Sequence, residues 1–244
     1  MHYEKHGKPL ANLGYDITPL SGKRPLLPGW QKRPEVARDF AKHNNANIGV
    51  VCGGGENIIA VDIDVLDAST AGHLRNLALE NLGPAPERIG KAPKTLMVYR
   101  CTERIRKIKT GIYDIGGATA NVEILAEGQQ FAAFGIHPDT QKNYEWPGSS
   151  LMDYAPGDLT AITPEAVSDF LTKAEVVMES QGGIKSQQNG GTASPPRDDI
   201  DTEGCFQFRQ HSQQASSEEV EVALKVIPSD CHYDDWCKIA HAIK

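Results

Sequence analysis

The chain has 244 residues, 39% of them hydrophobic and 7% aromatic, which suits one sizeable globular domain plus something smaller. It contains no apolar run of about 18 residues, and its N-terminus MHYEKHGKPL is polar, so it offers neither a helical membrane span nor a secretory signal and reads as cytoplasmic. The net charge of -7 is unevenly spread: residues 179–244 hold eleven acids and six bases, whereas residues 88–109 hold eight bases against the single acid Glu103. The five cysteines (Cys52, Cys101, Cys205, Cys231, Cys237) form no C-x-x-C pair, so free thiols are expected rather than a disulfide framework or a structural zinc site.

In chain order, apolar runs predict strands at IGVV (48–51), NIIAVDID (57–64), TLMVYR (95–100), NVEIL (121–125) and QQFAAFGI (129–136). Residues 68–82 read as a helix with Leu74, Leu77 and Leu82 near one face. Residues 163–180 read as another, with Thr163 as N-cap and Pro164 at the first position. The pattern is α+β over residues 1–178. From 179 to 217 the composition turns to Gln, Gly, Ser, Asp and Pro, which predicts a flexible linker. Residues 218–244 read as two helices broken at Pro228, the second ending flush at Lys244 as in a fragment of a longer chain.

The stretch AVDIDV poses the first chemical question. Strand side chains alternate, so Asp62 and Asp64 share one face while Val61, Ile63 and Val65 share the other. Two adjacent carboxylates disfavour each other's ionisation unless a cation arrives, and hard divalent ions prefer carboxylate oxygens. A bare D-x-D is equally the water-facing end of a strand, or a pair for Lys or Arg. The preceding CGGGEN lacks the GK[ST] ending of a phosphate-binding P-loop and reads as a tight hairpin turn. Glu123 stands alone on its face of NVEIL, and His137 follows in QQFAAFGIHPDTQKNYEW. A strand–turn–strand spacing around Gly128 would put Glu123 and His137 at the same end of a hairpin. Trp30, Tyr99, Phe131 and Tyr144 read as core first and as base-stacking rings second.

The order GYDITPLSGKRPLLPGW, NIGVVCGGGENIIAVDID, RIGKAPKTLMVYR, VEILAEGQQFAAFGIHPDTQKNYEW resembles the primase-polymerase (Prim-Pol) branch of the archaeo-eukaryotic primase superfamily over roughly residues 10–175. The resemblance implies an RRM-like mixed or antiparallel sheet flanked by helices with a second small α/β subdomain. It also implies a phage or plasmid replication protein working in the cytoplasm of a host cell. The end of the chain, EVALKVIPSDCHYDDWCKIAHAIK, resembles the start of the helical domain that follows such modules, ahead of a helicase region.

Carried over by position, the family's D-x-D motif falls on Asp62 and Asp64 and its last acidic motif on Val122-Glu123, implying that these three hold two Mg²⁺ or Mn²⁺ ions. The family's middle motif carries a strand histidine, but PKTLMVYR has none. Lys94, Arg100 and His137 are therefore the candidates for the nucleotide triphosphate, and Lys23 is a further phosphate or template contact. An alternative alignment makes His137 the middle motif and Glu145 the last acid. The implied reaction is nucleotidyl transfer from a dNTP or NTP to a 3′-hydroxyl on a single-stranded DNA template and primer, with Arg104, Arg106, Lys107 and Lys109 following the template backbone. Two other readings stay open: a metal-dependent nuclease or phosphohydrolase using the same carboxylates, and a catalytically silent single-strand- or origin-binding module.

Overall fold

The computed structural model describes residues 2–31 and 39–186, all within one unit, Met1–Gly190. A π-helical turn at Tyr3–Gly7 and helix α1 (Lys8–Leu13) precede strands β1 (Ile17–Ser21), β2 (Arg24–Pro25), β3 (Asn47–Val51) and β4 (Ile58–Asp64). Helix α2 (Ala68–Leu82) leads to β5 (Glu87–Ile89), β6 (Thr95–Cys101), β7 (Ile108–Lys109), β8 (Tyr113–Ile115), β9 (Ala118–Leu125) and β10 (Gln130–Phe134). Strand β11 (Ala161–Ile162), helix α3 (Pro164–Ser180) and β12 (Ile184–Lys185) follow. No helix among the described residues is long and apolar enough to cross a membrane.

These strands form two sheets. The larger runs β11-β6-β4-β9-β8-β12, with β5 added to β6 and β7 added to β9; the smaller runs β10-β3-β1-β2. All pairs are antiparallel except β11 with β6. The result is the expected mixed α+β fold with antiparallel sheets and few helices.

The larger sheet is apolar on both faces, because β4, β6 and β9 alternate between two cores. Ile59, Val61 and Ile63 join Met97, Tyr99, Val122 and Ile124 under Leu74 of α2 and Phe170 of α3. On the other face Ile58, Ala60, Leu96, Val98 and Leu125 pack against Ile48, Val50 and Phe131 of the smaller sheet. A strand buried on both sides has no solvent face for a charge, so the two aspartates sit where that second cover ends. Ile58 and Ala60 lie under the smaller sheet; Asp62 and Asp64, two and four residues on, emerge from beneath it.

The two long helices follow their caps. Asp67 accepts the Thr70 N–H at 2.7 Å, and Thr163 accepts the Ala166 N–H at 3.2 Å with Pro164 behind it. Gly83 closes α2 at φ 89°, a left-handed value that glycine takes without strain.

Three expectations are corrected. Strands β9 and β10 do not form a hairpin: β9 pairs with β4 in the larger sheet, whereas β10 pairs with β3 in the smaller one. The chain crosses between sheets through Gly128, which sits at φ 78°. The turn in CGGGEN is tight, closed by a Gly53–Ile58 bridge, but it too joins strands of different sheets. The fold also runs past 178, because α3 continues to Ser180 and Ile184–Lys185 pair with β8, so residues 179–186 are part of the domain rather than a linker. The rest of the expected linker, the terminal helices at 218–244, and Cys205, Cys231 and Cys237 lie outside the described residues. Cys52 and Cys101 are free and buried.

Candidate functional site

One row of directly opposed residues crosses five strands of the larger sheet. Arg88 in β5 faces Leu96 in β6, Leu96 faces Asp62 in β4, Asp62 faces Glu123 in β9, and Glu123 faces Lys109 in β7. Residues opposed across an antiparallel pair share a face, with Cβ atoms about 5 Å apart. Asp64 lies two residues along β4 on the same face, about 7 Å from Asp62, opposite Asn121. The backbone thus gathers Asp62, Asp64 and Glu123, the three acids expected to act together, at one end of two neighbouring strands.

Their side chains are held by cations. Lys94, from the loop before β6, is ion-paired with Asp64, and Lys107 meets Glu123 at 2.8 Å. Asn121 donates to the other Glu123 oxygen at 3.2 Å. Asp62 lies deepest. Burial raises its pKa, the Arg88 guanidinium opposes that, Asp64 and Glu123 reinforce it, and Lys23 opposes it again. Among the described residues no three His, Cys, Asp or Glu side chains converge closely enough to hold a metal ion as they stand. The backbone positions fit an oxygen-ligated divalent cation, but Asp64 and Glu123 must first turn away from their lysines. Both side chains are free enough to do so, at 46% and 23% exposed.

Beside Asp62 opens a cavity at the seam of the two sheets. Its walls carry Asp62, Asp64 and Asp139, together with the cations Lys23, Arg88, Lys91 and Lys94. Leu125 and Phe131 supply apolar wall. Glu123 is not among the lining residues, standing one strand outward of Asp62.

His137 enters from the smaller sheet. After β10 the chain makes a short loop closed by an Ile136–Asn143 bridge and a His137 N–H bond to the Lys142 carbonyl at 2.8 Å. The Asn47 side chain fixes that loop, donating to the Ile136 carbonyl at 2.7 Å, accepting the Ile136 N–H at 2.8 Å, and donating to the Gly22 carbonyl at 2.9 Å. One buried amide therefore ties the His137 loop to the turn that carries Lys23. The imidazole is 2% exposed, and its Nδ1 accepts the Asp139 N–H at 3.2 Å. That bond assigns the proton to Nε2, which is left to donate. Burial lowers the His137 pKa, as does the nearby Lys23, while Asp139 raises it, so the ring is neutral near pH 7.

Gly90 is required by this packing: a Cβ there would lie 2.6 Å from both His137 Cδ2 and Tyr144 Cε1. No real Cβ approaches so closely.

The remaining candidates separate. Lys94 and His137 line the cavity and Lys23 reaches it, whereas Arg100 does not. Arg100 opposes Ile58, four residues along β4 from Asp62, and its Nε donates to the Leu159 carbonyl at 3.2 Å. Glu145 is exposed and bonded through its backbone to Ile89, outside the cavity, so the acid opposite Asp62 is Glu123. Lys109 stands on the acid row itself and Lys107, just before β7, reaches it through Glu123, while Arg104 and Arg106 lie exposed before them, with Arg104 3.7 Å from Glu127. Tyr99 and Tyr144 are buried, Phe131 is buried at the cavity wall, and Trp30 is half-buried.

Arg88 is the residue that sequence reasoning passed over as a site group. It is only 8% exposed, stacked 4.7 Å from the Tyr144 ring centroid. The available signal was the alternation in E-R-I, which puts Arg88 on the face opposite Glu87, the partner of Arg75 in α2.

No curated protein sequence matches the chain. The family model for the N-terminal domain of bifunctional DNA primase/polymerases matches residues 8–161. That span takes in the smaller sheet, strands β4 to β9 of the larger one, α2, the acid row and the His137 loop, so the chain belongs to the Prim-Pol family of DNA primase-polymerases, enzymes of nucleotidyltransferase type.

Proposed function

We propose that this chain is the catalytic domain of a phage or plasmid primase-polymerase, adding dNTPs or NTPs to a 3′-hydroxyl on a single-stranded DNA template. The observation that carries the reading is the opposition of Asp62 and Glu123 across β4 and β9, with Asp64 on the same face and a cation-rich cavity beside them. Two Mg²⁺ or Mn²⁺ ions held by Asp62, Asp64 and Glu123 would activate the attacking hydroxyl and offset charge on the triphosphate.

The chain's own groups do the rest. Lys94 and Lys107 neutralise Asp64 and Glu123 in the protein alone, and bound ions would free them, Lys94 toward the cavity it lines. There Lys94 and Lys23 offset phosphate charge, and the His137 Nε2–H donates to a phosphate oxygen, roles whose loss costs roughly 3 kcal/mol, or about a hundredfold in rate. Arg104, Arg106, Lys107 and Lys109 form a basic border beside Glu123 suited to a template backbone, giving salt-dependent and sequence-tolerant binding. We read residues 1–186 as the catalytic domain and propose a helicase region as its partner in replication. The protein is proposed to work in the cytoplasm of the host.

A second reading, a silent template-binding module, draws on β6, the strand where the family resemblance implies a histidine and where the residue facing Asp62 is Leu96. Primer extension in Mg²⁺ or Mn²⁺ separates the two: dNTP addition that needs Asp62 supports the first, and EDTA-indifferent single-strand binding without synthesis supports the second.

A further inference from the structure

Buried guanidinium groups are ordinarily paired with a carboxylate, because desolvating an unpaired charge is costly. Arg88 departs from this. Among the described residues no carboxylate lies within ion-pair distance of it, and its buried Nε has no hydrogen-bond partner. The Tyr144 hydroxyl, on the ring beneath the guanidinium, is likewise buried without a partner. Two unsatisfied donors therefore belong to one stacked pair, of which Arg88 lines the open cavity and Tyr144 lies behind it.

The row spacing shows what they lack. Arg88 and Asp62 are two strands apart on one face, about 10 Å between backbones, and the residue between them is Leu96, which can bond to neither. The gap is bordered by Lys23 and by His137, whose Nε2 is the ring's free donor. A group with several acceptor oxygens and negative charge in the cavity would satisfy Arg88 and His137 at once, with Tyr144 behind the guanidinium. A planar guanidinium matches the spacing of two phosphate oxygens better than an ammonium does.

We propose that Arg88 is the phosphate receptor of this site, a guanidinium backed by Tyr144 that takes up the polyphosphate of the nucleotide substrate together with Lys23 and His137. This rests on the nucleotidyl-transfer reading for its substrate, but the receptor itself is a property of residues that do not bind the metal ions. Arg88 from β5 thereby supplies the cation that β6, with Leu96, does not.

The test uses the full chain in EDTA, with inorganic tripolyphosphate and dATP as probes in isothermal titration calorimetry. Wild type binds both. Arg88→Met, which keeps the stem packed on Tyr144, weakens both ten- to a hundredfold, the range for a charge-assisted bond, and Arg88→Lys weakens them less. Thermal melts of the variants at or above the wild-type midpoint show that the fold is retained. Tripolyphosphate affinity unchanged in Arg88→Met overturns the proposal, as does a wild type that binds neither probe. A wild type that extends no primer, yet binds tripolyphosphate through Arg88, defeats the polymerase reading and leaves the receptor standing. Extension with an unchanged dNTP KM in Arg88→Met does the reverse.

Discussion

Asp62 and Glu123 oppose each other across β4 and β9, and a base flanks the pair on each side of the row: Arg88 beyond Leu96 on one flank, Lys109 in β7 on the other. Lys107, two residues before Lys109, closes on the Glu123 carboxylate at 2.8 Å. Glu123 and Asp64 are thus compensated by Lys107 and Lys94 in the protein alone, whereas Asp62 has no ion-pair partner among the described residues and burial raises its pKa.

That compensation is in competition with any incoming cation. The Lys107–Glu123 pair is partly exposed, so it is worth no more than about 1 kcal/mol. Lys107→Met should therefore tighten Mn²⁺ binding to the nucleotide-free protein by about two- to fivefold, read as loss of the free Mn²⁺ signal in electron paramagnetic resonance. Weaker binding in the variant would show that Lys107 does not compete for Glu123.

Lys94 and Arg100 differ only by six positions in the same basic run, yet the structure sends them to opposite ends of β6. Lys94→Ala should weaken dNTP binding by about tenfold. Arg100→Ala should leave it within about twofold, since Arg100 bonds the Leu159 carbonyl outside the cavity. Fluorescence titration with a labelled dNTP reads both.

This contrast marks what was legible in the sequence. Apolar runs located β4, β6 and β9, because burial on both sides of a strand leaves a strong apolar record, and period-two alternation put Asp62, Asp64 and Glu123 on their proper face. The caps at Thr163 and Pro164 likewise announced α3. The destination of a strand leaves no such record. Nothing local in 126–130 says that the chain leaves the larger sheet at Gly128, so Glu123 and His137 looked like two ends of one hairpin; instead Asn47 fastens the His137 loop so that His137 lines the cavity beside Asp62, while Glu123 stands one strand outward. Arg88 was hidden for a related reason. An arginine inside a basic run reads as solvated, and only the three-residue pairing of β5 with β6 buries it.

Asn47 offers a direct check on that tethering. Its side chain makes three hydrogen bonds to the backbone of Gly22 and Ile136, each worth about 1 kcal/mol. Asn47→Ala should lower unfolding free energy by about 2–3 kcal/mol in urea titrations, and it should weaken dNTP binding by freeing the turn and loop that carry Lys23 and His137. Full dNTP affinity in a folded variant would mean those loops hold their place without Asn47.

Glu87 anchors β5, and so Arg88, from the opposite face. It accepts Arg75 Nε at 2.7 and 2.8 Å and Thr95 Oγ1 at 2.8 Å. Burial pushes its carboxyl pKa up, but the Arg75 and Thr95 bonds outweigh that and hold it below the ordinary value of 4.5. A folded pKa below the unfolded one stabilises the protein above pH 4.5 and loses that contribution as pH falls through the folded value. Glu87→Gln should cost about 1–2 kcal/mol at neutral pH, toward the lower end because Arg75 is 42% exposed. The difference from wild type should shrink as the pH falls below 4.5 and through the folded value. A deficit independent of pH would assign the loss to packing rather than to the charged pair.

The most direct measurement is single-nucleotide primer extension in Mg²⁺ and in Mn²⁺ by wild type, Asp62→Asn and Glu123→Gln, with folding checked by circular dichroism. The wild type should extend the primer, and each folded variant should be slower by at least about a hundredfold in both metals. Extension by Glu123→Gln at the wild-type rate would contradict the claim that the acid opposite Asp62 completes the site.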